Sequence, residues 1–172
     1  MYLSINSLNW LNFSFMMYFV LFTQIVLALP LDRKEKIYIA ADTTVYNYKT
    51  RMNIFTGHVK VDQGSTHIEA DKLITKSNKA HHIQEAIAYG LEKPAHYWTK
   101  PKIGEIDIHA HANIIKFYPI DSNVVLEQHV LMTQKDNYFR GEMILYNMTT
   151  ETITVPEKAA GRATLVYHPN SS

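Results

Sequence analysis

One stretch constrains the fold more than any other part of the chain: residues 55–73, FTGHVKVDQGSTHIEADKL. Small or apolar residues alternate with polar ones along its first half, with Phe55, Gly57, Val59 and Val61 set against Thr56, His58, Lys60 and Asp62. Successive side chains of a strand point to opposite faces, so this alternation predicts a half-buried β-strand. Residues 63–65 predict a turn, after which the alternation resumes, breaks at residues 71–72 and restarts at Leu73. The stretch therefore predicts strand, turn, strand, corner and strand.

The same pattern recurs later in the chain. Residues 126–144 align with residues 55–73 at an offset of 71, and the matching pairs include His58 with His129 and Asp71 with Glu142. Residues 37–48 resemble residues 106–117, at an offset of 69. A supersecondary unit of this kind cannot bury its apolar face alone, so we expect the two copies to stack on one core.

Nearly every segment after Lys36 alternates in the same way. The pattern predicts sixteen strands: 37–40, 43–49, 52–56, 58–62, 66–69, 72–77, 81–88, 94–98, 106–110, 113–117, 123–127, 129–134, 137–140, 142–148, 151–155 and 163–167. Short connections favour antiparallel neighbours. Residues 78–90 also show helical spacing, but strands precede and follow them, so we expect a strand there.

Composition excludes several classes of protein. The 172 residues suffice for one domain with a core, and 17 Lys plus Arg against 16 Asp plus Glu disfavour a general polyanion binder. Because the chain has no Cys, disulfides, thiol catalysis and Cys-zinc sites are excluded.

The N-terminal region is apolar and uncharged as far as Asp32. We interpret residues 1–28 as a signal peptide, because residues 26–28, Val-Leu-Ala, offer a small residue at the cleavage position. Residues 29–172 then form the mature domain. The alternative is an uncleaved membrane anchor, since about 20 apolar residues can span a bilayer.

The stretch at residues 55–73, the segment 37–42 before it and several later motifs together resemble the OstA-like family; the later motifs are Gly90 with Lys93-Pro94-Ala95, His111-Ala112 and Val124-Val125-Leu126. The resemblance covers about residues 35–168. It implies an all-β, open-ended antiparallel β-jellyroll of about 16 strands in the periplasm. It also implies that the lipid A moiety of lipopolysaccharide binds between the sheets. The implied partners are the inner-membrane LptC, the outer-membrane LptD and further copies of the chain, joined end to end.

Alternation marks a set of candidate inward-facing residues: Ile37, Ile39, Val45, Phe55, Val59, Val61, Ile68, Leu73, Tyr97, Ile115, Phe117, Leu126, Val130, Met132, Phe139 and Leu145. A closed core and an acyl groove need the same residue types, so the pattern alone leaves both open. The resemblance favours the groove and implies that its wall includes Ile37, Ile39, Phe55, Tyr97, Ile115 and Phe117.

Polar clusters give weaker signals. His109 and His111 would share one face of a strand, as two ligands of a metal site do, but no third ligand follows from spacing, so we expect solvated side chains and no bound metal. Asp71 and Glu142 at the predicted corners are expected to accept backbone N–H bonds. Because no catalytic motif or phosphate loop accompanies them, we predict a non-enzymatic protein without a cofactor. Two alternatives stay open, a closed-barrel carrier of a small apolar ligand and a His-based metal-dependent hydrolase.

Overall fold

A computed structural model describes residues 35–101, 105–156 and 162–167. These residues form twelve strands in chain order: β1 (Tyr38–Ala40), β2 (Thr43–Asn47), β3 (Met52–Gln63), β4 (Thr66–Ser77), β5 (Ile83–Tyr89), β6 (Ala95–Thr99), β7 (Ile108–Ala112), β8 (Ile114–Tyr118), β9 (Asn123–Gln134), β10 (Asn137–Asn147), β11 (Thr152–Thr154) and β12 (Thr164–Val166). The predicted signal peptide lies outside the described residues. Within those ranges, no helix is long and apolar enough to cross a membrane.

The strands pair antiparallel and build two layers. One layer contains β2, β5, β8 and β11, the other contains β1, β6, β7 and β12, and the long strands β3, β4, β9 and β10 give one half to each layer. Four short strands and four half-strands make eight segments in each layer. The sixteen predicted strands correspond to these segments, because the prediction divided each long strand where it bends. The all-β jellyroll prediction is confirmed, as is the strand within residues 78–90.

Each long hairpin bends where one strand carries an extra residue. Residues 57–58 of β3 lie opposite Asp71 of β4, and residues 128–129 of β9 lie opposite Glu142 of β10. The backbone is left-handed at both places, with φ of 79° and 43° in the first pair and 66° and 57° in the second. Such a bulge bends the strand and increases its twist, which carries both strands of the hairpin from one layer to the other.

A side chain from an earlier loop contacts each bend. The Asp42 carboxylate lies 2.8 Å from His58 Nδ1, and the Asn113 amide nitrogen lies 3.3 Å from His129 Nδ1. In both copies the backbone N–H of the same Asp or Asn donates to the carbonyl of the residue before the histidine, at 3.0 Å. The two bends are therefore built alike, as the matched histidines of the two copies predict.

Strand register fixes how the two copies correspond. Tyr38 pairs with Asp62 in the first copy, and His109 pairs with Thr133 in the second, so both partners are displaced by 71 residues. The offset of 69 predicted for the earlier segments is therefore wrong. A two-residue shift keeps every side chain on the same face, so alternation alone does not detect it.

The copies join where β5 pairs with β8 and β6 pairs with β7. Among the described strands, β1 and β2 pair only with β3, and β11 and β12 pair only with β10. The free edges therefore lie at opposite ends of the strand order. In the repeat, β1 and β2 correspond to β7 and β8, and β11 and β12 correspond to β5 and β6.

Fourteen of the sixteen candidate inward residues lie in the core between the layers or pack against it. Val45 and Leu145 are wrong, because they lie on the outer face and are 58% and 37% exposed. Leu145 stands between Ile144 and Tyr146, and three consecutive apolar residues do not show which of them points inward. Val45 pairs with Ile54, which is also partly exposed.

Candidate functional site: the groove between the two layers

The six residues predicted to line a lipid groove all lie between the layers. Three belong to β3 and β8, and three lie on or beside β1 and β6: Phe55, Ile115, Phe117, Ile37, Ile39 and Tyr97. Tyr97 and Ile115 are fully buried, Phe117 is 3% exposed, and Ile37 and Ile39 are half-buried at the edge of the same core. The structure thus brings all six into one apolar interior, and lipid binding there stays a prediction.

This interior changes character with distance from the bends. Beside the bends the buried inward residues are apolar, and several of them are small: Val59, Ala70, Ala95, Ala112 and Val130. Towards the opposite ends of the strands the buried inward residues include polar ones: Gln63, Thr66, Thr99 and Ser122. Because the long strands connect the layers at the bends, the layers can separate only on the polar side. The polar residues therefore mark the rim of the groove.

A cleft of about 40 Å³ lies at this rim between the two layers. Thr66 and Thr99 line it from one layer, and Phe117 and Ser122 line it from the other. A wider opening of about 570 Å³ adjoins it, and Gln63 lines both. The rim therefore has a polar entrance that leads to an apolar side chain of the predicted groove.

Most polar groups of the rim are satisfied within the protein. The hydroxyl oxygens of Thr66 and Thr99 lie 3.1 Å apart, and Gln63 Nε2 donates to the carbonyl of Glu35 at 3.2 Å. Burial raises the pKa of Tyr146, which also lines the cleft, to about 12. These rim residues were not among the predicted groove residues. Alternation alone places Thr66 and Thr99 inward, in phase with Ile68 and Tyr97.

Asp71 has the structural role predicted for it. Its Oδ2 accepts backbone N–H bonds from Leu91 at 2.6 Å and Glu92 at 2.9 Å. These bonds stabilise the carboxylate and lower its pKa. Asp71 thus ties the loop between β5 and β6 to the bend. These two backbone hydrogen bonds therefore give Asp71 a structural role.

The layer that contains β1, β6, β7 and β12 carries a stack of imidazole and indole rings on its outer face. His67 and His96 flank Trp98, with ring centroids 4.9 and 4.6 Å away, and His111 stacks on His96 at 4.3 Å. His96 Nε2 lies 3.1 Å from His109 Nδ1. The prediction that His109 and His111 share one face is confirmed. The pairing of β6 with β7 adds His96 and Trp98, and the pairing of β4 with β6 adds His67.

No group of three or more His, Cys, Asp or Glu is arranged to hold a metal in the part of the chain that the structure describes. Burial, together with the neighbouring His111 and His109, lowers the pKa of His96 to about 4. Burial also lowers the pKa of His111. The geometry of these rings is that of a stack across the seam between the two copies.

Comparisons with known proteins establish the family. The family described as LptA/(LptD N-terminal domain) LPS transport protein matches residues 38–152. The chain belongs to this family. LptH, a lipopolysaccharide export system protein of Pseudomonas aeruginosa, is 31% identical over 142 residues, which cover 83% of this chain and 77% of LptH. LptA of Escherichia coli K12, with the same description, is 26% identical over 139 residues, which cover 81% of this chain and 74% of LptA.

The solved structure of LptH supports the same family placement. It superposes with a TM-score of 0.74 at 26% identity and covers 81% of this chain and 100% of that chain. LptH is described there as the LptA-homologous periplasmic component of the lipopolysaccharide transport device. The members of this family to which the chain is similar are thus transport proteins.

The imidazole stack predicts how stability depends on pH. The lowered pKa of His96 means that the unfolded chain binds protons between about pH 6.5 and 4 that the folded chain does not bind. The free energy of unfolding therefore falls as the pH decreases through this range. Glu69 raises the pKa of His96, but its effect is smaller than the effects of burial, His111 and His109. We expect the melting temperature of His96→Gln, followed by circular dichroism from pH 7.5 to 5, to depend less on pH than that of the wild type.

His82→Gln is the matched control, because His82 is exposed and lies outside the stack. Its melting temperature is expected to follow the wild-type pH dependence. Equal pH dependence in wild type and His96→Gln would contradict the role given to the stack.

Proposed function

We propose that this protein is a periplasmic, non-enzymatic bridge that carries lipopolysaccharide between the inner and outer membranes. The observation that supports it most directly is one apolar interior, shared by two stacked copies, with edges at both ends that are free among the described strands. Membership of the lipopolysaccharide transport family supports the ligand. The LptH description supports the compartment. The lipid A moiety would lie between the layers, along Ile37, Ile39, Phe55, Tyr97, Ile115 and Phe117.

The physical chemistry of acyl chains favours a groove over a pocket. Each methylene gains roughly 0.8 kcal/mol on leaving water, so a chain of about twelve gains roughly 10 kcal/mol. A lipid with several such chains would leave a single deep pocket extremely slowly. A groove that continues from one molecule to the next lets the chains move without meeting water. The sequence has no glycine-rich phosphate loop, so we infer that the driving energy comes from other components.

The internal seam between the copies gives a template for assembly. β11 would pair with β2 of the next molecule as β5 pairs with β8, and β12 would pair with β1 as β6 pairs with β7. Strand addition of this kind supplies main-chain hydrogen bonds to otherwise free edges. The same edges would receive the jellyrolls of LptC at one end and LptD at the other.

Equivalent register predicts which residues would meet. Ala86 pairs with Phe117 at the internal seam, and these positions correspond to Ile153 of β11 and Tyr46 of β2. Ile153 of one molecule would then lie opposite Tyr46 of the next. Both residues follow the inward-facing phase of their strands, so the apolar interior would continue through the junction.

The closed-barrel carrier is less well supported. A closed barrel has no free edges, whereas β1, β2, β11 and β12 each have one among the described strands. The His-based hydrolase has no supporting metal geometry in the described ranges.

A charge in the groove tests lipid binding. Phe117 is buried but lines the rim cleft, so water can reach a carboxylate there. We expect Phe117→Asp to keep near-native circular dichroism and to lose binding to purified lipopolysaccharide, because acyl chains would have to cross a hydrated charge. Ile115→Asp is the control for a deeper site. It would bury an unpaired charge at a cost of several kcal/mol and largely unfold a domain with 5–15 kcal/mol of stability.

Two results with Phe117→Asp would argue against this account. Loss of the strand signal together with binding would make Phe117 ordinary core. Unchanged binding with an intact fold would place Phe117 outside the lipid path.

Disulfide trapping tests the assembly, because the chain contains no Cys of its own. We expect the double variant Tyr46→Cys/Ile153→Cys to form a ladder of covalent multimers on mild oxidation, since cross-strand partners bring their Cβ atoms within disulfide range. Non-reducing electrophoresis would show the ladder.

The matched control for trapping is Val45→Cys/Ile153→Cys. It moves one cysteine by a single residue and so to the opposite face. A ladder from both variants, or from neither, would contradict the predicted register.

A further inference from the structure

Ser122 differs from the other polar residues of the rim. It ends the turn between β8 and β9, in a left-handed conformation with φ of 54°, and its side chain is fully buried. Its carbonyl accepts the backbone N–H of Met148 at 2.8 Å, which fixes the turn. Its Oγ makes no hydrogen bond with any described residue. A buried hydroxyl without a partner gives up its hydrogen bonds to water without compensation, so such a group in a native protein calls for an explanation.

Ser122 borders the space that a ligand would enter, and its hydroxyl, buried in this structure, would become accessible as the layers separate at the rim. Ser122 lines the rim cleft, whose volume of about 40 Å³ is more than the roughly 15 Å³ of such space that one water needs. The neighbouring Thr66 and Thr99 bond each other, and the side chain of Gln63 bonds the backbone. Of the four buried polar residues that mark the rim, Ser122 is the one whose side chain makes no hydrogen bond among the described residues.

The depth of the rim determines which part of a lipid arrives there. Acyl chains belong in the apolar interior towards the bends, where the small residues Ala70, Ala95 and Ala112 are buried. The head group belongs in water. The ester or amide groups that join chain to head group therefore lie at the level where the lining becomes polar. That level contains Thr66, Thr99 and Ser122.

We propose that Ser122 binds the ester or amide linkage of an acylated lipid, with its hydroxyl donating to the linkage carbonyl and thereby fixing the depth of the lipid in the groove. This assignment rests on the proposed function and adds a positioning residue to it. The contact compensates the unpaired hydroxyl only when lipid is present. Phe117, on the same cleft, would pack against the first methylenes of the chain.

Ser122→Ala tests the proposal, because it removes the hydroxyl and keeps a residue of similar size in the turn. Two probes are used on the full chain, purified lipopolysaccharide and the apolar dye N-phenylnaphthylamine, which lacks a carbonyl. We expect affinity for lipopolysaccharide to fall about three- to tenfold, the amount of one net hydrogen bond. Dye affinity is expected to be unchanged. The melting temperature of the lipid-free variant is expected to equal or exceed that of the wild type, since an unpaired donor is removed.

Ser77→Ala is the matched control, a half-buried serine at the end of β4 that does not line the cleft. It is expected to leave both affinities unchanged. Equal lipopolysaccharide affinity in Ser122→Ala and wild type would overturn the assignment and leave the hydroxyl with a trapped water as its partner. A lower melting temperature of lipid-free Ser122→Ala would also overturn it, by showing that the hydroxyl supports the fold. A wild type that binds neither probe would instead overturn the proposed function itself.

Discussion

The two β-bulges are the constraint on which the rest of the structure depends. At each one, two residues in left-handed conformation lie opposite a single acidic residue. For residues other than glycine such a conformation costs roughly 1–2 kcal/mol, and three of the four positions, His58, Gln128 and His129, are not glycine. The recurring contacts of Asp42 and Asn113 with these bends offset part of that cost. The result is that four strands serve two layers at once, which creates one interior between them.

The bends also make the two sides of that interior different from each other. One side is closed by strands that cross between the layers, and the other side can open. Apolar and small residues lie on the closed side, and Gln63, Thr66, Thr99 and Ser122 lie on the open side. An amphiphile meets the same order of environments, with its chains inside and its polar part at the rim. The repeat also gives the interior a direction of continuation, because strands of one molecule can pair with those of the next in the way that the two copies pair with each other.

Much of this architecture could be predicted from sequence, because the alternation with period two and its recurrence after 71 residues can both be read directly from the order of the residues. The failures share a physical cause. Val45 and Leu145 lie in runs where both faces carry apolar residues, so burial depends on what packs above them. The incorrect offset of 69 preserved every face and was invisible to alternation.

Ser122 could not be predicted, because it lies in a turn where alternation gives no information and its burial arises from β10 and the opposite layer. The imidazole stack likewise depends on the register of β6 with β7. Sequence alone placed only His109 and His111 on one face. The inward orientation of the six groove residues follows from the alternation of their strands and is confirmed. Their contact with lipid follows from the family resemblance and stays a prediction.

The central claim is that lipid travels between the layers and not along their outer faces. It is tested most directly by placing a photoreactive phenylalanine analogue at position 117, which faces inward, and separately at position 116, whose native Lys116 faces outward and pairs with Glu127 at 2.8 Å. After irradiation of living cells, the protein is purified and blotted for lipopolysaccharide. The account predicts a lipopolysaccharide adduct from position 117 and none from position 116. Adducts of equal yield at both positions, or an adduct only at position 116, would contradict it.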